Sequence, residues 1–86
     1  MAGTFHITIL SAEKKVYEAE AQSLIAPAER GYVGILPNHA PFMAALGPGT
    51  ITIRTNAGAT AVFQASGKGY IEVSDNKAVL LVSAAA

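Results

Sequence analysis

The chain is organised around the apolar, proline-containing stretch Gly31-Tyr-Val-Gly-Ile-Leu-Pro-Asn-His-Ala-Pro-Phe-Met-Ala-Ala-Leu-Gly-Pro-Gly49. This stretch lies within a longer run, Gly31 to Ile53, that contains no Asp, Glu, Lys or Arg. Such a run is normally buried, but Pro37 and Pro41 each fix φ and lack an amide hydrogen. Ala40 is restricted to extended geometry by the proline that follows it. We therefore predict a stiff loop here, flanked by two apolar arms that form strands.

The loop suits docking onto another apolar surface better than chemistry in water. It would hold Asn38 and His39 between its two arms. A histidine in a loop is a conceivable base or ligand, but the surrounding run supplies no acid and no cluster of metal ligands. We therefore interpret His39 as a turn or partner-contact residue, and we expect no catalytic residue, metal or cofactor.

Composition limits the possible functions. The 86 residues are expected to form a single domain, residues 1–86, and six basic residues balance six acidic ones. A net charge of zero gives no electrostatic argument for nucleic acid or an anionic membrane. The absence of cysteine excludes a disulfide scaffold, a thiolate zinc site and a cysteine nucleophile. No segment approaches the ~20 uninterrupted apolar residues of a membrane helix, so we expect a soluble, cytoplasmic chain.

Apolar and polar residues alternate along most of the chain, as in Phe5-His6-Ile7-Thr8-Ile9. Short alternating runs are separated by turn signals at intervals of about 8–12 residues, which is typical of a β-sandwich or barrel. Because β-branched residues dominate and no window repeats with the period of about 3.6 that a helix requires, helix is not expected. We therefore predict an all-β fold, a small antiparallel β-sandwich of about ten short strands.

Two details of this prediction concern chain breaks. We expect Pro27 to end a short apolar strand, Ser23 to Ala26, and the closing Ala84-Ala85-Ala86 to be a frayed stub.

The core is expected to contain the alternating apolar residues of five strands. These residues are Phe5, Ile7, Ile9, Ile51, Ile53, Phe63, Ile71, Val73, Leu80 and Val82.

Three other features are given structural interpretations. His6 is expected to be an exposed or edge residue of the first strand. Glu18 and Glu20 share one strand face, about 7 Å apart, and we interpret them as a solvated face rather than an acid pair. The segment Gly67-Lys68-Gly69 lacks the glycine and the Ser or Thr of a phosphate-binding loop, and is predicted to be a plain turn.

Three motifs carry a resemblance to a known family. They are Phe5-His6-Ile7-Thr8-Ile9 with Ser11-Ala12-Glu13, Gly31-Tyr-Val-Gly-Ile-Leu-Pro-Asn-His-Ala-Pro41, and Ser66-Gly67-Lys68-Gly69-Tyr70-Ile71-Glu72-Val73. They resemble the epsilon subunit of bacterial and plastid rotary ATP synthases, over the whole chain. Lys68 departs from that pattern as one residue more than the usual Gly-Gly turn. The family usually continues from this point as a helical hairpin. The sequence therefore resembles the N-terminal β-sandwich domain alone, either as a naturally short form or as part of a longer chain.

The resemblance implies a non-catalytic rotor component that links the gamma subunit to the c-ring and supports the coupling of proton or sodium flow to ATP synthesis. The family's inhibitory helical element would be missing. Positions implied to face the c-ring are Gly31, Tyr32, Pro37, Asn38, His39, Ala40, Pro41 and Phe42, with Tyr32, Asn38 and His39 at the tip of one loop. Positions implied to face gamma are Ser11, His39 and Ala44, as neighbours at the same end of the sandwich.

The resemblance also implies partners and a location. The partners would be gamma and the c-ring, with no nucleic acid, no direct membrane insertion and no small-molecule substrate. The chain would lie at the cytoplasmic face of a bacterial inner membrane, with the plastid stroma less favoured. The alternative is a free-standing β-sandwich that acts as a binding or carrier domain without a rotary partner. Co-purification with synthase subunits discriminates between the two, and an enzyme is the third hypothesis.

Overall fold

The strands follow the alternating pattern of the sequence. A computed structural model describes residues 3–86, and in this range the chain forms β-strands and no helix. No helix in the described range is long and apolar enough to cross a membrane. The strands are β1 Phe5–Leu10, β2 Lys15–Ala28, β3 Gly31–Ile35, β4 Phe42–Leu46, β5 Gly49–Thr55, β6 Thr60–Ser66, β7 Gly69–Ser74, β8 Lys77–Leu81 and β9 Ala84–Ala85. The predicted all-β class is confirmed.

One long strand, β2, takes part in both layers of the sandwich. Its residues 15–21 pair with β1, and residues 21–28 pair with β5 on one side and β3 on the other. The strands form one hydrogen-bonded sheet that folds into two layers. We call these layers sheet I, with the order β3-β2-β5-β6-β9, and sheet II, with the order β2-β1-β8-β7-β4; the pair of Ala28 and Leu46 also joins β2 to β4. The register shifts between Ala21 and Ser23, where β2 passes from one sheet to the other. A β-bulge of this kind bends a strand and allows it to change layers.

One pair of strands, β1 and β8, is parallel, with Ile7 opposite Ala78. The prediction described the sandwich as antiparallel, and the other pairs are antiparallel. Alternation of apolar residues is the same in parallel and antiparallel strands, so the pattern does not report the direction of a partner. The parallel pair could therefore be found only in the structure.

The core lies between the two sheets, and all predicted core residues except Phe63 are buried. Phe63 is half-buried and packs against Tyr17 of β2, with the two ring centroids 4.9 Å apart. The prediction omitted three large residues that are fully buried, Leu24, Ile35 and Leu46. These three lie in continuous apolar runs, in which alternation does not distinguish the inward from the outward side chain.

The expectation that Pro27 ends a strand is wrong, because β2 continues through it to Ala28. Pro27 lies opposite Tyr32 of β3. Its carbonyl oxygen accepts a hydrogen bond from the Gly47 N–H at 2.9 Å, and therefore points away from β3. The missing amide of the proline is thus not needed for the ladder with β3. A proline is tolerated in a strand at a position of this kind.

The expectation that the last alanines form a frayed stub is also wrong. Ala84–Ala85 forms β9, in which Ala85 lies opposite Ala65 of β6. The Gln64 N–H donates to the Ala86 carbonyl oxygen at 2.9 Å, and the Ala86 N–H donates to the Gln64 carbonyl at 3.2 Å. Alanine has little intrinsic preference for a strand, but the open edge of β6 supplies backbone partners, and tertiary context determines the outcome.

Candidate interaction surface

Two asparagines anchor the proline loop, which we define as residues 36–41. The Asn38 N–H donates to Asn76 Oδ1 at 2.7 Å, and Asn76 Nδ2 donates to the Thr4 carbonyl oxygen at 2.8 Å. Asn38 itself has a φ of 64°, in the left-handed region that Asn tolerates better than most residues. The loop is therefore fixed to the β7–β8 turn and to the start of β1, in agreement with the predicted stiffness.

His39 turns back onto the loop. Its Nδ1 lies 2.7 Å from the Ala40 carbonyl oxygen, so that an N–H at this nitrogen donates to it. Its ring meets the ring of Phe42 in an edge-on arrangement, with centroids 5.7 Å apart. His39 is half-buried, whereas Asn38, Ala40 and Pro41 are exposed. The exposed surface of the loop therefore consists mainly of these three residues and Leu36, while His39 packs within the loop.

The residues implied to face the c-ring do not form one loop. Gly31–Ile35 is strand β3, so Tyr32 lies at its start and the proline loop follows its end. The distance along β3 from Tyr32 to the start of the proline loop is four residue steps, or about 13 Å. The expectation that Tyr32 lies beside Asn38 and His39 at one tip is therefore wrong. Tyr32 is 59% exposed next to the β2–β3 turn, and its hydroxyl oxygen accepts a hydrogen bond from the Thr50 N–H at 3.1 Å.

The residues implied to face gamma are also dispersed. Ser11 follows the last residue of β1, whereas the proline loop is attached through Asn76 to Thr4, before the first residue of β1. The five residue steps of β1 extend over about 17 Å. Ser11 and His39 therefore lie at opposite ends of sheet II, and the expectation that they share one end is wrong. Ala44 lies in the middle of β4 and is half-buried.

An apolar row that was not predicted from the sequence crosses the outer face of sheet II; it is exposed at Ala45 and Tyr70 and half-buried at Leu81 and Leu10. In register from β4 to β1 it consists of Ala45, Tyr70, Leu81 and Leu10. Met43 lies next to this row and is 64% exposed. The row extends from Leu10, next to Ser11, to Ala45, next to Ala44. The sequence contained a signal for these outward-facing residues, because each of them alternates with a core residue of its strand.

A groove opens on the side of the sandwich between β3 and β4. Its volume is about 430 Å³, and its apolar lining includes Val33, Phe42 and Ala44, while Glu29 and Arg30 lie at its rim. These three apolar residues pack against the core but remain half exposed. At the opposite side of the sandwich, the contact of Tyr17 with Phe63 covers the corresponding gap. The core is thus less completely covered at the β3–β4 side.

A charge cluster links β1 and β2 on the outer face of sheet II. His6 Nδ1 lies 2.6 Å from Glu20 Oε2, and His6 Nε2 lies 2.5 Å from Glu18 Oε2. Hydrogen bonds to Glu20 and Glu18 raise the pKa of His6. The pKa of Glu18 is lowered by its hydrogen bonds to Lys15 and to His6. Because both glutamates are held by one imidazole, this geometry favours a structural role and agrees with the interpretation of a solvated face.

Residues that could bind a metal do not cluster in the described part of the chain. Within residues 3–86, no group of three or more His, Cys, Asp or Glu side chains could hold a metal ion. The buried side chains in this range are apolar.

Comparison with known proteins identifies one family. Residues 4–86 match the family model described as the β-sandwich domain of the ATP synthase delta/epsilon chain. The ATP synthase epsilon chain of Alkalilimnicola ehrlichii is 41% identical over 83 residues, which is 96% of this chain and 59% of the relative. Those of Desulfitobacterium hafniense and Streptomyces coelicolor are 39% and 36% identical over 85 residues, 99% of this chain, and 63% and 68% of the relatives. The chain thus spans about three fifths of the length of the first relatives.

Solved structures share the fold. A chain in the mitochondrial ATP synthase of Euglena gracilis, solved as OSCP, F1 and c-ring in rotational state 1, matches with a TM-score of 0.88. It is 16% identical, and the match covers 96% of this chain and 52% of that chain. A chain in the central stalk and c-ring of the Tetrahymena thermophila mitochondrial enzyme matches with a TM-score of 0.81 at 16% identity, covering 99% of this chain and 67% of that chain.

Proposed function

Because the chain belongs to the family of ATP synthase delta/epsilon-chain β-sandwich domains, we propose that it is a non-catalytic rotor component of an ATP synthase. Residues 1–86 form one epsilon-type domain in this proposal. It lies in the central stalk, links the gamma subunit to the c-ring, and supports the coupling of ion flow to ATP synthesis. Epsilon-chain relatives at 36–41% identity over nearly the whole chain support this assignment.

One structural observation carries the proposal. The segment from β3 to β4 has no charged residue, yet it exposes the large apolar side chains Tyr32, Leu36 and Met43 by 59%, 62% and 64%. Exposed apolar surface of this kind, at both ends of β3 and on β4, suits contact with other molecules. A stiff loop anchored at Asn38 loses little conformational freedom on binding, which favours affinity.

The proposed c-ring contact consists of two separate regions. The first is the start of β3 with Gly31 and Tyr32, and the second is the proline loop with its neighbour Phe42. The loop residues in this contact are Pro37, Asn38, His39, Ala40 and Pro41. Two regions separated by the length of β3 could engage neighbouring subunits of a ring, because a ring repeats the same surface.

The proposed gamma contact runs across the outer face of sheet II. Ser11 and Ala44 adjoin the apolar row of Leu10, Leu81, Tyr70 and Ala45, which supplies a continuous surface between them. His39, the third residue of this contact, lies at the opposite end of sheet II from Ser11. The assembly would place the chain at the membrane as part of the synthase complex, at the cytoplasmic face of a bacterial inner membrane. The chain would be held there through its partners, without insertion of its own residues into the lipid.

The proposal is tested by assembly with synthase subunits. The 86-residue chain should bind a purified complex of gamma and c-ring, and the variants Asn38→Asp and His39→Asp should bind at least about tenfold more weakly, since each introduces a charge into a desolvated contact. The matched control is Asn56→Asp in the β5–β6 turn, which should bind like the wild type. Failure of the wild-type chain to bind would favour the free-standing binding domain.

A further inference from the structure

Strand β3 forms an open edge of sheet I. Within the described residues it pairs with β2 alone, from Gly31 to Ile35, and the register of this pairing has no irregularity. Its sequence, Gly-Tyr-Val-Gly-Ile, contains no charge and no proline. Exposed edge strands are usually protected by charges, prolines, bulges or a covering segment. Since β3 has none of the first three, it is suited to being covered by another chain.

The backbone groups on this open edge can be identified from Pro27. In an antiparallel ladder, residue pairs that share hydrogen bonds alternate with pairs that do not. The pair of Pro27 and Tyr32 belongs to the second type, because Pro27 has no N–H and its carbonyl oxygen accepts from Gly47. The pair of Ile25 and Gly34, two positions further, is of the same type. Tyr32 and Gly34 therefore direct both N–H and C=O away from β2.

The facing strand β4 has fewer free backbone hydrogen-bonding groups on its edge. The Ala45 carbonyl oxygen accepts a hydrogen bond from the Glu29 N–H at 3.0 Å, so the β2–β3 turn already occupies this end of the β4 edge. Between the two strands lies the groove of about 430 Å³, with half-exposed Val33, Phe42 and Ala44 in its lining. Every second side chain of a strand added to β3 would point toward these residues. The groove and the open edge thus suit the same occupant.

We propose that an extended segment of the gamma subunit adds to the open edge of β3 as a further strand and places an apolar side chain in the β3–β4 groove. This inference rests on the proposed rotor function, in which gamma contacts the outer face of sheet II. The groove lining includes Ala44 and Ala45, two residues of that proposed contact, so the groove continues it around the edge of β4. Backbone pairing requires an extended polypeptide, and the groove selects a segment with an apolar residue among its inward positions.

A matched pair of variants at Gly34 tests the backbone contact. Gly34→Pro removes the outward N–H without removing a donor from the β2 ladder, and Gly34→Ala keeps that N–H. A Cβ atom built at Gly34 meets no other atom within 4 Å, so the alanine variant has room. We expect Gly34→Pro to weaken binding to purified gamma by at least about tenfold, because a buried backbone acceptor of the partner loses its donor. Gly34→Ala should bind within about twofold of the wild type.

Hydrogen exchange of the wild-type chain gives a second measurement that does not depend on how the proline variant folds. In the free chain, the Tyr32 and Gly34 amides should exchange rapidly, and addition of gamma should slow both, while the ladder amide of Val33 changes less. Unchanged exchange of Tyr32 and Gly34 in a gamma complex would overturn the inference and leave the rotor function intact. Protection of the Gly34 amide by the c-ring alone, or in a dimer of the free chain, would also overturn it. A wild-type chain that binds neither partner would refute the rotor function itself.

Discussion

Asn38 and Asn76 join the two turns at one end of the sandwich through a side-chain acceptor and a backbone donor. The Asn38 N–H donates to Asn76 Oδ1 at 2.7 Å, and the two residues have positive φ angles of 64° and 60°. Asn76 also donates through Nδ2 to the Thr4 carbonyl oxygen, so one side chain holds the proline loop and the start of β1. The position of the proposed contact loop thus depends on a residue about forty positions away in sequence.

Two substitutions of Asn76 distinguish the contribution of these hydrogen bonds to stability from the contribution of backbone strain. Asn76→Gly removes both side-chain bonds but tolerates the positive φ, and should lower the free energy of unfolding by about 1–2 kcal/mol. Asn76→Ala removes the same bonds but keeps a Cβ in the left-handed region, which Ala tolerates less well than Asn or Gly, so this variant should be about 1 kcal/mol less stable than Asn76→Gly. Urea denaturation of the two variants measures both effects. Equal stability of the two would show that strain at this position is negligible.

The charge cluster around His6 should make stability depend on pH. Hydrogen bonds to Glu20 and Glu18 raise the pKa of His6 above its ordinary value of 6.5, so its contribution is complete below pH 6.5 and is lost as the pH rises through the folded pKa. The pKa of Glu18 is lowered from 4.5, first by Lys15, so its contribution is complete above pH 4.5 and is lost as the pH falls through the folded pKa. From β8, Lys77 lies opposite His6 and brings a positive charge to the same face.

The stabilisation from this cluster should therefore be greatest between pH 4.5 and 6.5 and should decrease above this range. The effect should be small, because the side chains are well exposed to solvent. The urea midpoint of His6→Gln should lie below that of the wild type at pH 6, and the difference should shrink by pH 8. Since both proteins retain His39, the difference isolates His6. A difference that grows with pH would contradict the prediction.

The two phenylalanines Phe5 and Phe63 should differ in their contribution to stability. Phe5 is 2% exposed in the core, and Phe5→Ala should cost about 3–5 kcal/mol of unfolding free energy. Phe63 is half-buried against Tyr17, so Phe63→Ala should cost less, about 2 kcal/mol. The denaturation midpoints of the two variants show which substitution costs more stability. A larger loss at Phe63 would indicate that the Tyr17 side of the sandwich is more tightly packed than its exposure implies.

Gly69, in the turn that carries Lys68, should not tolerate a side chain. A Cβ atom at Gly69 would overlap the carbonyl oxygen of Leu81 on the neighbouring strand. Because this obstacle is backbone, Gly69→Ala should force β7 and β8 apart and cost about 2 kcal/mol or more. Gly47→Ala is the control, since a Cβ there meets nothing within 4 Å. Thermal unfolding of both variants gives the comparison, and similar melting temperatures would contradict the steric argument.

The fold was predicted well from sequence because alternation and turn residues act locally. Phe5, Ile7 and Ile9 point inward wherever their strand lies, so the core and strand pattern follow from spacing alone. The candidate site depends on which strands are neighbours, and spacing does not contain that information. Ser11 and His39 could not be placed at opposite ends without knowing the pairing of β1, and the row through Tyr70 and Leu81 appears only in the register of four strands.

The 14-residue strand β2, shared by both sheets, has a mechanical consequence. A sandwich of two independent sheets can yield to a sideways force by sliding one layer over the other, with apolar contacts as the main resistance. In this chain such sliding would pull along one covalent backbone that is bonded to β1 in one layer and to β5 and β3 in the other. Torque applied at either face would therefore load hydrogen bonds of both layers together, so the domain resists shear between its layers.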